Sequence, residues 1–316
     1  MHLANIMKDE TVGDPVSGCK YSAKSTYEIA KELNRLGIKV SATTVGRLLK
    51  DQDYSLRKNR KHLESHAGKK PDPQRRDRQF HYIRRQRRDY EARDLPIISV
   101  DTKSRELIGR FYQHGQRWSS GFIPVLDHDF PSLAKGVGIP YGIYDMLRNE
   151  GFISLGASSD TSAFAVDAIR DWWLQLGSHH YPEADEVLIL SDCGGSNGYR
   201  TRLWKQQLQE RFSNPLGLKV RVAHFPPGTS KWNPIEHRLF SFISANWAAV
   251  PLESYQIMLN YIRTTKTETG LRVHASFNRK KYLKGIKVSN EQMQQIQLTR
   301  YRVNPEWNYS IAPNSW

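Results

Sequence analysis

Three acidic residues stand at positions from which carboxylates can act together on a phosphate group. Asp101 ends the apolar run 96–100, and Asp192 ends a second such run at 186–191. Both runs are short and rich in aliphatic residues, which is typical of buried strands. Glu236 follows a loop rich in Pro and Gly and falls in the first turn of a predicted helix. Carboxylate oxygens suit Mg²⁺ or Mn²⁺, and two such ions can activate a water or a 3′-hydroxyl for displacement at phosphorus.

Other acids compete for this role. A single strand that ends in Asp more often carries only a cap or turn residue, whereas two such strands and a helical Glu in a basic chain favour a metal site. We interpret Asp160 as the cap of the helix that begins near Thr161. Three further acids are interpreted as solvated face or loop residues: Asp167, Asp171 and Asp185.

The composition favours a polyanionic partner. The 316 residues carry 47 Lys and Arg against 32 Asp and Glu, a formal net charge of +15, and the pI is about 9.7. Such a charge is typical of nucleic-acid binding, although basic proteins also occur in other classes. We expect a soluble cytoplasmic protein, because the sequence has no apolar stretch of membrane length, no secretory signal, and only two scattered cysteines, Cys19 and Cys193.

A helix-turn-helix pattern lies near the N-terminus. Ser25 and Glu28 form a capping-box pattern, Gly37 ends the first helix, and Ser41 can cap a second helix over 42–50. The second helix is predicted to turn Val45, Leu48 and Leu49 inward. An ordinary helical hairpin would give the same pattern, but a polar, basic outer face suits the major groove. We expect the outward residues to contact DNA: Thr43, Thr44, Arg47 and Lys50.

A basic run follows this pattern. Residues 57–89 hold 13 Lys and Arg against four acids, so contacts to DNA phosphates are favoured over a merely solvated linker. Pro71 and Pro73 predict an extended connector that becomes helical around 79–90. Arg84 and Arg85 are the predicted phosphate contacts in that helix.

From Leu95 onward, strands alternate with helices, which indicates an α/β core. Further strands are predicted near 151–156 and 219–225, and helices near 161–176 and 199–212. Asn233 is predicted to cap a helix that starts at Pro234. We divide the chain into five parts: 1–20, a remnant or linker; 21–56, the helix-turn-helix; 57–92, the basic linker and helix; 93–260, the catalytic domain; and 261–316, a tail without chemical signal.

Residues beside the three acids can also bind DNA. Glycines at 194, 195 and 198 allow close approach of the backbone to phosphate, with Ser196 and Asn197 as donors, although a glycine cluster is more often a simple turn. Lys231 and Arg238 flank Glu236 and can hold the DNA backbone. Two neighbours carry open interpretations: His237 packs, caps or binds DNA, and Trp232 packs or stacks on an unpaired base.

Long motifs in the chain resemble those of bacterial insertion-sequence transposases of the ISAzo-thirteen type, the Rhodopirellula transposase DDE-domain family. The resemblance runs from Gly13-Asp14-Pro15 to the end and includes the segments 98–103, 140–145, 191–198 and, most specifically, 224–241 (HFPPGTSKWNPIEHRLFS). It implies a DDE triad of Asp101, Asp192 and Glu236, an RNase H-like fold, and Mg²⁺-dependent cleavage and joining of DNA. It also implies double-stranded DNA partners, both transposon ends and target, and a homo-oligomer that assembles on DNA in the bacterial nucleoid.

Two departures from the family pattern bear on activity. Lys103-Ser104-Arg105 stands where the family often has a run of lysines, which largely keeps the charge. The family usually has a further helical, DNA-binding stretch upstream, so we expect this copy to be truncated.

There are two alternatives to an active transposase. One is a hydrolytic nuclease or resolvase on the same fold, and the other is a catalytically silent DNA-binding regulator of transposition.

Overall fold

The computed structural model describes residues 12–13, 20–21, 24–52, 54 and 72–314, and the chain divides into two compact units between His62 and Leu63. Much of the predicted basic linker, including Pro71, lies outside the described residues. In the first unit, β1 (Val12–Gly13) pairs antiparallel with β2 (Lys20–Tyr21). Two helices follow, α1 (Thr26–Arg35) and α2 (Ala42–Asp51).

The caps and the turn of this helix pair are confirmed. The Ser25 hydroxyl accepts from the backbone N–H of Glu28, whose carboxylate accepts from the backbone N–H of Ser25, and Gly37 follows α1 in the left-handed conformation with φ of +82°. The Ser41 hydroxyl caps α2. The inner face of α2 was predicted with one error, because Val45 is buried but Leu48 is 36% exposed.

The described part of the second unit begins with the basic helix α3 (Pro73–Ala92), which is longer than predicted. The carboxylate of Asp72 accepts from the N–H of Arg75 at its first turn, and Pro73 occupies the first helical position, where no backbone hydrogen bond is lost. The prediction of an extended connector at Pro73 was therefore wrong. One face of α3 is buried through Tyr82, Ile83 and Tyr90.

A single mixed sheet of nine strands organises the described part of the second unit. Its strands are β3 (Ile97–Thr102), β4 (Glu106–Ile108), β5 (Gly136–Asp145), β6 (Glu150–Gly156), β7 (Glu186–Ser191), β8 (Lys219–His224), β9 (Arg272–Asn278), β10 (Leu298–Arg300) and β11 (Asn308–Ile311). The order across the sheet is β10-β11-β8-β7-β3-β5-β6-β9, and β4 pairs with β5.

Strand directions and register decide which strand ends meet. β3, β7 and β8 run parallel, while β5 runs antiparallel to both β3 and β6. Val100 on β3 pairs with Ser191 on β7, so the carboxyl ends of these two central strands lie side by side. The predicted α/β class is confirmed as a mixed α/β fold.

Helices cover both faces of the sheet. On one face, α4 (Ser162–Trp172) and α5 (Arg202–Gln207) pack through Phe164, Trp172 and Trp204; α5 begins three residues later than predicted. The other face carries α3, α6 (Ser241–Asn246) and α7 (Tyr255–Arg263). A short helix, α8 (Asn290–Gln294), precedes β10. None of the described helices has the length and apolarity needed to cross a membrane.

Three strands within the C-terminal stretch 261–316, which was interpreted from the sequence as a tail, belong to the sheet. β9 pairs in parallel with β6 at one edge, and β11 pairs antiparallel with β8 toward the other. Tyr309 and Ile311 of β11 are fully buried. The tail interpretation was wrong because these short strands are stabilised by distant partners and not by a local pattern.

Candidate active site

Two of the predicted acids stand at neighbouring strand ends. Asp101 is the fifth residue of the six-residue strand β3, and Asp192 directly follows β7. Both side chains are partly buried. Since β3 and β7 are hydrogen-bonded in parallel, the two carboxylates share the edge of the sheet where α/β proteins place their functional residues.

Glu236 lies after the loop that follows β8. It begins a π-helical turn, Glu236–Phe240, that continues into α6, and such turns are frequent at functional sites. The side chain is partly buried. Its charge acts on both Asp101 and Asp192, so the structure brings all three predicted acids into one neighbourhood.

The environment of these acids opposes their ionisation. Burial, together with the neighbouring carboxylates of Asp192, Glu236 and Asp160, raises the pKa of Asp101 to about 8, although the N–H of Thr102 acts to lower it. Burial also raises the pKa of Asp192 to about 6, with Glu236 adding to the effect and the amide of Asn233 opposing it. The pKa of Glu236 is raised by burial, although Lys103 and His237 lower it.

Asn233 links these elements, in a role that the sequence did not suggest. It precedes the helix at Pro234 as predicted, but its side chain does not cap that helix. The amide Nδ2 donates to Asp192 Oδ1 at 3.1 Å and to the Val100 carbonyl at 3.4 Å, and Oδ1 accepts from the Ser99 hydroxyl. The predicted capping role is therefore wrong.

Ser99 supplies the cap instead. Its hydroxyl oxygen accepts from the backbone N–H of Ile235 at 3.2 Å. Ser99 belongs to β3, two residues before Asp101, so the helix that carries Glu236 is fastened to the strand that carries Asp101. Both Ser99 and Asn233 are fully buried.

Asp160 is a fourth acid in this neighbourhood, and its predicted capping role is also wrong. The cap of α4 is Thr161, whose hydroxyl accepts from the N–H of Phe164. The carboxylate of Asp160 instead accepts from the Thr102 hydroxyl at 3.2 Å. Thr102 also donates its backbone N–H to Asp101 at 2.8 Å, so one residue contacts both acids.

Asp167 was interpreted as a solvated residue, but it is only 2% exposed. It accepts from Arg211 at 3.0 Å, from Lys280 at 3.2 Å and from the hydroxyl of Tyr282 at 2.8 Å. These contacts join α4 to distant parts of the chain. Asp167 is thus a structural acid, separate from the candidate site.

A buried chain of hydrogen bonds holds the backbone of Asp192. His224 Nδ1 lies 2.8 Å from the Asp192 carbonyl and 3.0 Å from the Ser191 hydroxyl. Its Nε2 lies 3.2 Å from the Tyr309 hydroxyl, which accepts from the indole of Trp204 at 2.9 Å. Burial lowers the pKa of His224 to about 4, so the ring is neutral at pH 7 and donates from Nδ1 to the carbonyl.

The carboxylate oxygens of these acids are ligands that suit a divalent cation. Among the described residues, no three His, Cys, Asp or Glu side chains converge closely enough to hold a metal ion as they stand. The neighbours that raise the pKa of Asp101 are other carboxylates, a charge distribution that a divalent cation would stabilise. Ion binding would therefore have to draw the carboxylates closer together.

The predicted DNA contacts differ in accessibility. Thr43, Arg47 and Lys50 of α2 are exposed and Thr44 is partly exposed. Four further predicted residues, all in the second unit, are exposed: Arg84, Arg85, Lys231 and Arg238. Asn197 is only 1% exposed, and both its Nδ2 and the Ser196 hydroxyl are shielded from solvent. These last two side chains are therefore not available to DNA in this conformation.

Trp232 and His237, whose roles the sequence left open, have different environments in the structure. Trp232 is 56% exposed, and its ring lies edge-on to that of Phe80 at 6.1 Å between centroids, so more than half of its surface is free. The ring of His237 hydrogen-bonds to the Lys231 carbonyl, and this bond holds the turn that precedes Glu236.

Lys103 is buried, pairs with Glu106 at 3.2 Å and lies over the ring of Trp247.

The chain is similar to known transposases. A family model described as "Rhodopirellula transposase DDE domain" matches residues 2–313. Solved structures with a similar course of the chain include "Mos1 transposase paired-end complex with left transposon end" (15% identity, TM-score 0.43, covering 81% of this chain and 67% of that chain). The "Crystal structure of the Mos1 Strand Transfer Complex" is another (15% identity, TM-score 0.43, covering 82% and 68%). No curated protein sequence matches this chain.

Proposed function

We propose that this chain, which belongs to the Rhodopirellula transposase DDE domain family, is a DNA transposase that cleaves at transposon ends and joins the freed 3′-hydroxyl to target DNA. The observation that carries the proposal is the position of three acids in one neighbourhood. Asp101 and Asp192 stand at adjacent parallel strand ends, and Glu236 is fastened beside them through Asn233 and Ser99.

The sheet supports an RNase H-like core for this function. Its five central strands lie in the order β6-β5-β3-β7-β8, and only β5 runs against the others. We assign catalysis to this core together with the C-terminal strands that extend it. The helix pair of the first unit is assigned to DNA reading, with Arg47 and Lys50 on its exposed face.

In the proposed mechanism, Asp101, Asp192 and Glu236 would hold two Mg²⁺ or Mn²⁺ ions. Such ions, when bound, would supply activation of a water or 3′-hydroxyl and stabilisation of the leaving oxygen in a displacement at phosphorus. Asn233 and His224 keep the Asp192 side chain and backbone in place through the bonds described above. Lys231 and Arg238, which are exposed on either side of Glu236, contact the DNA backbone and keep the scissile phosphate at the acids.

The exposed arginines of α3 extend this contact surface. Arg84 and Arg85 lie on the helix face opposite the buried Tyr82 and Tyr90. We propose that they bind DNA phosphates and position the duplex without reading its sequence. The DNA is expected to assemble two or more copies of the chain, as the family resemblance implies.

Cleavage tests this proposal directly. Duplexes taken from both flanks of the gene that encodes this chain are incubated with Mg²⁺, with Mn²⁺ or with EDTA, beside Asp192→Asn and the exposed control Asp185→Asn. We expect metal-dependent cleavage by the wild-type chain and the control, and at least a hundredfold loss in Asp192→Asn. DNA binding without cleavage by the wild-type chain would favour the silent regulator and contradict the proposal.

A further inference from the structure

We propose that Asn233 and Ser99 are positioning residues that act as one link between the three acids and set how tightly the site binds its metal ions. The inference rests on the proposed function for the identity of the ions. Neither residue has a carboxylate, and neither was a candidate from the sequence. Their role follows from four hydrogen bonds made in a fully buried position.

The hydrogen-bonding capacity of the two groups leaves a single consistent arrangement. The Ile235 N–H can only donate, so the Ser99 oxygen accepts from it and turns its own hydrogen toward Asn233. Asn233 must then present Oδ1 to Ser99 and Nδ2 to the other side. There, Nδ2 meets the Asp192 carboxylate and the Val100 carbonyl, which are both acceptors. A flipped amide would set its oxygen against the Asp192 carboxylate and the Val100 carbonyl, and it would leave the Ser99 hydrogen without an acceptor.

Each end of the link reaches an element that carries one of the acids. Asn233 contacts Asp192 directly. Ser99 lies two residues before Asp101 on β3, and alternate residues of a strand share a face. Ile235 immediately precedes Glu236. A displacement of any one element therefore strains a bond to the other two.

A neutral amide is the group that this position requires. The Asp192 carboxylate lies near other acids, and the Asn233 amide donates a hydrogen bond to it at 3.1 Å. A carboxylate at 233 would have no hydrogen for Asp192 and would add a charge to the cluster. An alanine would leave the Asp192 side chain free to rotate. Outer residues that orient metal ligands commonly change metal affinity by about 10–100-fold when they are removed.

The test measures Mn²⁺ binding by calorimetry on the full chain without DNA, so that it does not depend on cleavage. The variants are Asn233→Ala, Asn233→Asp and Ser99→Ala. Matched controls are Asn278→Ala and Ser213→Ala, which remove a buried amide and a buried hydroxyl that bond elsewhere, to Tyr282 and to the Leu218 carbonyl. Thermal unfolding in EDTA reports the stability of every variant.

We expect Asn233→Ala and Asn233→Asp to weaken Mn²⁺ binding by about 10–100-fold, and Ser99→Ala by less, because Asn233 keeps its bond to Asp192. The controls should bind as the wild type does, even where they lower the unfolding temperature equally. Unchanged Mn²⁺ affinity in Asn233→Ala and Ser99→Ala would overturn the proposal. If Asn233→Ala fails to fold, Ser99→Ala alone decides the question, since it removes a single oxygen.

A double-variant cycle tests whether the two residues act as one link. Ser99→Ala combined with Asn233→Ala should bind Mn²⁺ as Asn233→Ala does alone, because the link is already broken. Additive losses would show two independent effects and overturn the single link. If the wild-type chain binds Mn²⁺ but cleaves no DNA, the transposase function fails, while the binding data still decide the role of Asn233.

Discussion

Asp101 is partly buried among other carboxylates, so its charge opposes folding when no metal is present, although the proposed mechanism requires that charge. We predict that Asp101→Asn abolishes DNA cleavage and yet raises the free energy of unfolding in EDTA at pH 8 by about 1 kcal/mol, the equivalent of about one pKa unit. The physical reason is the removal of a partly buried charge from its neighbours Asp192, Glu236 and Asp160. Urea unfolding and the cleavage assay measure the two effects.

The exposed acid Asp185 provides the comparison. Asp185→Asn should change neither cleavage nor the free energy of unfolding. A variant Asp101→Asn that cleaves DNA at the wild-type rate would remove this residue from the site.

The three catalytic candidates could be predicted from the sequence, because a strand that ends in an acid leaves a local pattern and the family motifs include them. The roles of Asp160 and Asn233 could not. Each stands where a helix cap is chemically reasonable, but Thr161 and Ser99 take the two caps. Thr161 directly follows Asp160, whereas Ser99 lies on β3, far from Asn233 in the chain. In both cases the cap depends on contacts that Asp160 and Asn233 make across the fold, and a local stretch of sequence does not reveal those contacts.

Among the elements, the basic helix α3 offers the clearest test of DNA contact. We predict that Arg84→Glu combined with Arg85→Glu weakens binding to DNA of any sequence. Each lost phosphate contact should lower the dependence of log affinity on log salt concentration by about 0.9. Fluorescence anisotropy over a salt series measures both quantities. The control, Arg148→Glu with Arg272→Glu, makes the same charge change at two exposed arginines outside α3 and should keep the wild-type salt dependence.

The helix α4 is joined to distant segments through Asp167, and this contact should make stability depend on pH. Burial works to raise the pKa of Asp167, but Tyr282, Arg211 and Lys280 outweigh it and leave the pKa below its usual value. A lowered carboxylate pKa stabilises the fold above the ordinary pKa, and this contribution is lost as the pH falls through the folded-state pKa. We predict that Asp167→Asn destabilises the chain at pH 7 by about 1–3 kcal/mol.

The cost of the same substitution should shrink as the pH falls below the ordinary carboxyl pKa of 3.8, because the wild-type carboxylate then loses its stabilising contribution as it approaches protonation. Denaturant unfolding from pH 7 to pH 3 measures the difference, with the exposed Asp129→Asn as the control. A pH-independent difference would mean that Asp167 contributes through packing alone.

Element prediction succeeded where the pattern was local and failed where the partner was distant. The capping box at Ser25 and Glu28 and the buried runs of β3 and β7 are visible in short windows of sequence. The strands β9 and β11 are not visible in such windows, because their partners β6 and β8 lie about a hundred residues away in the chain. The start of α3 at Pro73 was missed for another reason, since proline suits a first helical turn as well as an extended connector.

At the scale of the whole molecule, the two compact units predict a division of labour. The helix pair has its own small core of Ile29, Ala30, Leu33 and Val45, and the second unit has separate cores on both faces of its sheet. We predict that residues 72–316 alone keep Mn²⁺-dependent nicking of plasmid DNA but lose preference for the flanking duplexes over unrelated DNA. Competition binding and a nicking assay measure the two properties. Preserved preference would assign the reading of sequence to the second unit.

The most direct test of the central claim is joining, because hydrolysis alone would not distinguish a transposase from a nuclease. A pre-cleaved end duplex with a free 3′-hydroxyl, taken from the flanks of the gene, is incubated with a plasmid target and Mg²⁺ or Mn²⁺. The account predicts metal-dependent covalent joining of the 3′-end to the plasmid, which is lost in Glu236→Gln. Cleavage of intact ends without any joining of pre-cleaved ends would contradict the transposase function and leave a nuclease on the same fold.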